Sequence, residues 1–116
     1  MDKRLKLTEL AGTSVCVDPS DAEKVFIALS DEIQNDVFIT LSFEDVEDLT
    51  SNFLNTAIGQ LYGKFKEETI RNHLQVDQIS PADTDNLRRS VARAKEYYRD
   101  PQRFRDAMIE ELGHAE

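Results

Sequence analysis

Val37-Phe38-Ile39-Thr40-Leu41-Ser42-Phe43-Glu44-Asp45-Val46-Glu47-Asp48-Leu49-Thr50-Ser51-Asn52-Phe53-Leu54 reads as a strand, an acidic turn and a polar elbow that opens a helix. Val37 to Leu41 is short, apolar and rich in β-branched residues, the composition of a strand covered on both faces. Thr50, Ser51 and Asn52 are residue types whose side chains accept hydrogen bonds from the unpaired amides of a first helical turn. A strand that runs into a helix N-terminus brings hydroxyls and free N–H groups to the carboxyl edge of a sheet. Open α/β folds place binding sites at that edge. Thr50, Ser51 and Asn52 are therefore the candidate binding residues.

On the N-terminal side of this stretch, Leu5 and Leu7 alternate with polar neighbours, which predicts a half-exposed strand over Leu5–Leu10. Ala11-Gly12-Thr13 is a turn, and Ser14–Val17 is expected to return as the antiparallel partner. Asp18-Pro19-Ser20 stops the strand, and Ser20-Asp21-Ala22-Glu23 has the capping-box pattern. Ala22, Val25, Phe26, Leu29 and Ile33 then follow at helical spacing, with Asp31 and Glu32 off the stripe.

On the C-terminal side, Phe53, Leu54, Ala57, Ile58, Leu61, Tyr62 and Phe65 form a stripe too wide for a helix lying on the surface alone. Gly59 and Gly63, one turn apart, suggest close approach of this helix to the sheet. His73–Ile79 is expected as the last strand, with Leu74 and Val76 sharing a face. Pro81 then opens a helix whose stripe is Leu87, Val91, Ala94 and Tyr98. Pro101 interrupts it, and Phe104, Met108, Ile109 and Leu112 outline a last amphipathic helix. The alternation of strands and helices predicts an α/β fold: a mixed sheet of about four strands with helices packed against it. Residues 1–100 would form one domain and 101–116 a helical extension.

A chain of 116 residues with 40% apolar and 32% charged residues buries a core without disulfides or metals. The one cysteine, Cys16, has no internal partner, which fits a reducing compartment. No apolar run approaches the roughly 18 residues that span a bilayer, and Met1-Asp2-Lys3-Arg4 is not followed by a signal-type segment. A cytoplasmic location and no membrane contact are the expectations. The net charge of −9 repels phosphate backbones, so nucleic acid is not an expected partner. The charge is uneven. Arg88, Arg89, Arg93, Lys95, Arg99, Arg103 and Arg105 are half of the 14 basic residues, and only Glu96 and Asp100 oppose them there. Such a segment fits either a docking surface or a solvated face that answers acidic neighbours in the same fold.

The order of elements and the segments Leu41-Ser42-Phe43, Asp45-Val46 and Thr50-Ser51-Asn52-Phe53 resemble a prokaryotic STAS-like family of unknown function, related to the anti-sigma-factor antagonist domains. The resemblance runs from about Leu5 to Tyr98. It implies a STAS-like fold and a non-enzymatic, regulatory module that binds a protein partner, by analogy a kinase-like ATPase or a regulator. In those relatives a serine at the start of this helix is phosphorylated, and the added charge breaks the complex. Here Asn52 stands at the matching place, Thr50 replaces their aspartate and Phe53 their glycine. Ser51 is the candidate phosphoacceptor if the register slips by one residue, and is otherwise a helix cap.

Chemistry of other kinds finds little support. The chain has no Gly-rich phosphate loop, no nucleophile elbow and no metal-ligand spacing. His73 and His114 are far apart, and Cys16 lies in an apolar stretch that suggests an inert thiol. Glu44, Asp45, Glu47 and Asp48 lack EF-hand spacing, so a solvated acidic loop is the simpler reading. No catalytic residue, metal or cofactor is expected. Two alternatives to the interaction module remain. One is a small-ligand domain holding a nucleotide or other anion at the elbow. The other is a homo-oligomer in which the Arg-rich helix docks on an acidic face of a second copy.

Overall fold

The computed structural model describes residues 1–99. The expected helix around Phe104–Leu112 and the 101–116 extension lie outside the described residues. β1 (Asp2–Lys6) leads into a short helix, α1 (Leu7–Ala11), then β2 (Val15–Cys16) and α2 (Pro19–Gln34). β3 (Phe38–Ser42), β4 (Asp48–Leu49) and α3 (Ser51–Leu54) follow. A π-helical turn (Asn55–Gly59) and α4 (Leu61–Lys64) carry the same rod onward. α5 (Glu67–His73), β5 (Leu74–Asp77) and α6 (Pro81–Arg99) complete the described chain. No helix among the described residues is long and apolar enough to cross a membrane.

The α/β class holds, with β3 at the centre of a three-stranded sheet ordered β1-β3-β5. The pairing departs from the sequence reading at the N-terminus. Leu7 and Ala11 are buried on the first turns of a helix, with Leu10 half-buried between them. The spacing of Leu7, Leu10 and Ala11 is helical, and Gly12 ends the turn at φ 79, a left-handed conformation that costs glycine little. Val15–Cys16 therefore does not return antiparallel to the first strand. It pairs in parallel with β4, Val15 opposite Asp48 and Cys16 opposite Leu49, as a separate two-stranded sheet. Every strand pair in the described residues is parallel.

Among the described residues, helices cover β3 on one face, not two. Register places Leu5, Ile39, Leu41, Leu74 and Val76 on the face toward the helices, where Ile39 and Leu41 are fully buried. The opposite face carries Arg4, Lys6, Phe38, Thr40, Gln75 and Asp77. Polar pairs lace it. Arg4 reaches across β3 to both carboxylate oxygens of Asp77, at 2.7 and 3.0 Å, and the Gln75 amide donates to the Thr40 hydroxyl at 3.0 Å. Ionic and hydrogen-bonding groups thus pair with one another on this face.

The core forms where the helices meet the other face. Ala22, Val25, Leu29 and Ile33 of α2 are buried as the stripe requires. The cap of α2 is Asp18, not Ser20: its carboxylate accepts from the Ser20 amide at 2.8 Å and the Ser20 hydroxyl at 2.7 Å, with Pro19 at the first helical position. Phe53, Leu54, Ala57, Ile58 and Leu61 are buried and join Ile39 and Leu41 in one core. The rod they lie on packs between α2 and α6. Its glycines approach α6 rather than the sheet: a Cβ on Gly59 would lie 3.5 Å from the Ala94 Cβ, and one on Gly63 would meet the Tyr98 ring. Burial of Ser90 and Ala94 on α6 matches that close approach.

Candidate functional site

The elbow is built by β2, β3 and β4. β3 ends at Ser42, whose buried hydroxyl accepts the Glu44 amide at 3.2 Å. The chain then turns at Asp45, whose φ of 68 lies in the left-handed region that aspartate tolerates better than most residues. The Lys6 ammonium lies 2.9 Å from the Asp45 carboxylate, and this bond raises the Lys6 pKa. Further on, the Glu47 amide donates to the Ser14 carbonyl at 2.9 Å, and the Ser14 hydroxyl donates to the Glu47 carboxylate at 2.9 Å. The Thr50 amide donates to the Cys16 carbonyl at 3.3 Å. The segment entering the helix is thus fastened to β2 on one side and to β1 on the other.

The three elbow residues do different things. Thr50 is the N-cap: it is extended, and its hydroxyl accepts the Phe53 amide at 3.1 Å. A cap of this kind contributes about 1 kcal/mol and aims the buried Phe53 ring into the core. Ser51 is half-buried, and its hydroxyl donates to the Asn86 side-chain oxygen at 2.6 Å, tying α3 to α6. Asn52 is exposed. The elbow therefore presents Thr50 and Asn52 to solvent, while the Ser51 hydroxyl is engaged inward.

Acidic groups surround it. Glu44, Asp45, Glu47 and Asp48 are all exposed. The Cys16 thiol, buried beneath β2, is pushed up to about 11, mainly by burial and further by the charges of Asp21 and Asp83. Asp21 at the start of α2 and Asp83 at the start of α6 thus extend the negative field to this end of the sheet. Among the described residues, no group of three or more His, Cys, Asp and Glu side chains converges as a metal site.

His73 lies away from the elbow, at the end of α5. Its ring meets the Asp36 carboxylate at 2.6 Å and the Thr69 carbonyl at 2.8 Å. Both partners accept, so the protonated ring satisfies both contacts at once, and the bonds to Asp36 and Thr69 raise the His73 pKa. Asn86, Lys6 and Asp83 were not foreseen as neighbours of the elbow. Ser51 and Asn86 are 35 residues apart and share no periodic signal, so only the fold brings them together.

A family model described as a STAS-like domain of unknown function (DUF4325) matches residues 21–84, more than half of the chain. The chain belongs to that family. The match runs from the first turn of α2 to the first turn of α6 and contains the whole elbow. No curated protein and no solved structure matches the chain.

Proposed function

We propose that this STAS-like domain is a non-enzymatic, regulatory interaction module that docks a protein partner on the Thr50-Ser51-Asn52 elbow and the acidic turn beside it. The observation that carries the reading is the way the elbow is held. Thr50 and Asn52 stand exposed on a ledge pinned by β2, by Lys6 and by Asn86, and carboxylates flank it. A ledge fixed before binding costs little ordering on association. Its negative field suits a partner with a basic patch, such as a kinase-like ATPase domain or a regulator.

The same geometry weighs against the elbow as an anion pocket. α3 is four residues long, and the Thr50 hydroxyl already takes up the Phe53 amide. The surrounding carboxylates repel free phosphate. Phosphorylation of Ser51 would need its bond to Asn86 broken first, so we assign Ser51 a structural role and leave recognition to Thr50 and Asn52. Neither Cys16, buried with a raised pKa, nor His73, locked between Asp36 and Thr69, is placed to act as nucleophile or base.

Affinity capture from the native cell tests this with wild type and Asn52→Arg side by side. The reading expects a signalling ATPase or regulator with wild type, and its loss when the arginine adds bulk and opposes the acidic field. Equal recovery with both proteins would move the function off the elbow.

A further inference from the structure

Among the described residues the sheet stops at β5, and its outer edge borders an apolar groove of about 270 Å³. Leu74, Gln75 and Val76 all line the groove. Gln75 points to the opposite face of the sheet, where its side chain bonds Thr40. A groove that touches three successive residues must therefore run along the backbone edge of the strand.

The ladder fixes which backbone groups face that edge. The Phe43 amide donates to the Asp77 carbonyl, and Ser42 pairs with Asp77 in a parallel register. In a parallel ladder a residue directs both its N–H and its C=O to the same side. Asp77 and Gln75 thus serve β3, and Leu74 and Val76 face outward. The Leu74 amide closes the end of α5 on the Ile70 carbonyl. The Val76 N–H and C=O and the Leu74 C=O have no partner among the described residues. An unpaired row of this kind is a template for another strand.

Beside the edge, Leu87 and Val91 of α6 stand half-buried as a wall, as Leu74 and Val76 do on the floor. Arg71 and Lys95 stand at the rim with a single acid, Glu67, between them, in a chain whose net charge is −9. We propose that this edge is a second docking surface, distinct from the elbow, and that it receives an extended segment of a partner protein. That segment would add a fourth strand beside β5. Its apolar side chains, at alternate positions, lie against Leu87 and Val91, and an acidic side chain at the end of that same face meets Arg71 and Lys95. The inference goes beyond the elbow reading and does not depend on it.

The probe is a capped synthetic peptide of about eight residues, valine alternating with threonine, with glutamate in place of the first and last valine. It is titrated into the full chain by calorimetry and by amide NMR. Saturable binding is expected, with the Val76 amide among the most shifted resonances. The peptide with lysine in place of both glutamates should bind about tenfold more weakly at 0.1 M salt. N-methylation of one alternate set of peptide residues should weaken binding by more than about tenfold, and of the other set hardly at all. Val76→Pro removes an outward N–H and no ladder bond, and should lose the peptide while keeping the wild-type circular dichroism spectrum. Should that variant unfold, Val91→Glu on the groove wall should lose the peptide in its place. Equal binding of both N-methylated peptides, or no binding of any, overturns the proposal. So does a solution dimer that Val76→Pro splits, which would assign the edge to a second copy.

Discussion

His73 and Asp36 make the clearest residue-scale clasp outside the elbow. Asp36 sits in the turn between α2 and β3 at φ 62, and His73 ends α5 just before β5. The bond to Asp36, then that to the Thr69 carbonyl, raises the His73 pKa above its ordinary 6.5. The bond to His73 depresses Asp36 below 3.8. A raised pKa on a base means that the folded state holds the proton more tightly. The His73 contribution is therefore complete below pH 6.5 and is lost as pH rises through the raised value. The Asp36 contribution is complete above 3.8 and is lost as pH falls through the depressed value. The clasp works between those limits. The exposure of Asp36 to water keeps the effect small. Urea midpoints measured across pH 6.5 and upward should fall for wild type and fall less for His73→Gln. Parallel profiles would mean that the contact carries no charge.

At the scale of elements, the glycines of the central rod give a cleaner test than its large apolar residues. Gly59 lies in the π turn, whose wider ring shows in the bond from the Gln60 amide to the Asn55 carbonyl at 3.1 Å. A methyl group at Gly59 would sit at ordinary contact distance from Ala94, and alanine costs less backbone entropy than glycine in a helix. Gly59→Ala is therefore expected to keep the fold and raise its stability by about 0.5–1 kcal/mol, read from chemical denaturation. A loss of more than about 1 kcal/mol would mean that α6 lies closer than the structure places it. What the sequence showed of these elements followed burial. α2, the rod and α6 were legible because Ala22, Val25, Leu29, Phe53, Ile58, Leu61, Leu87 and Ala94 recur at helical spacing. α5 was not, since Ile70 is its only buried residue and one residue has no period. α1 was misread because Leu5 and Leu7 alternate like a strand across a strand–helix junction. The elbow was legible from residue type, since Thr50, Ser51 and Asn52 all favour a helix start, but the cap is Thr50 and not Ser51, whose hydroxyl bonds Asn86 instead. Its locks were not, because Ser14–Glu47, Lys6–Asp45 and Ser51–Asn86 are 33 to 39 residues apart in sequence.

At the scale of the molecule, charge is segregated. Arg88, Arg89, Arg93 and Arg99 stand exposed along α6, and carboxylates crowd the elbow end. Head-to-tail contact between copies would bring the two together, and magnitudes decide whether it holds. Exposed ion pairs contribute about 0.5 kcal/mol each, so four would supply about 2 kcal/mol, against the roughly 4 kcal/mol that even a millimolar complex requires. Screening over about 8 Å at 0.15 M salt takes away much of that. Light scattering at tens of micromolar should therefore give the 13.3 kDa monomer at 0.15 M salt, with a rise in mass only near 0.01 M. Salt then separates the available interfaces. Association that fades as salt rises belongs to the Arg-bearing face of α6 and the acidic elbow. Association that survives high salt cannot come from exposed charges; it would need apolar burial and backbone bonds, which the open edge of β5 and its groove offer. A dimer that persists at 0.5 M salt would thus refute the charge-driven contact and direct attention to Val76.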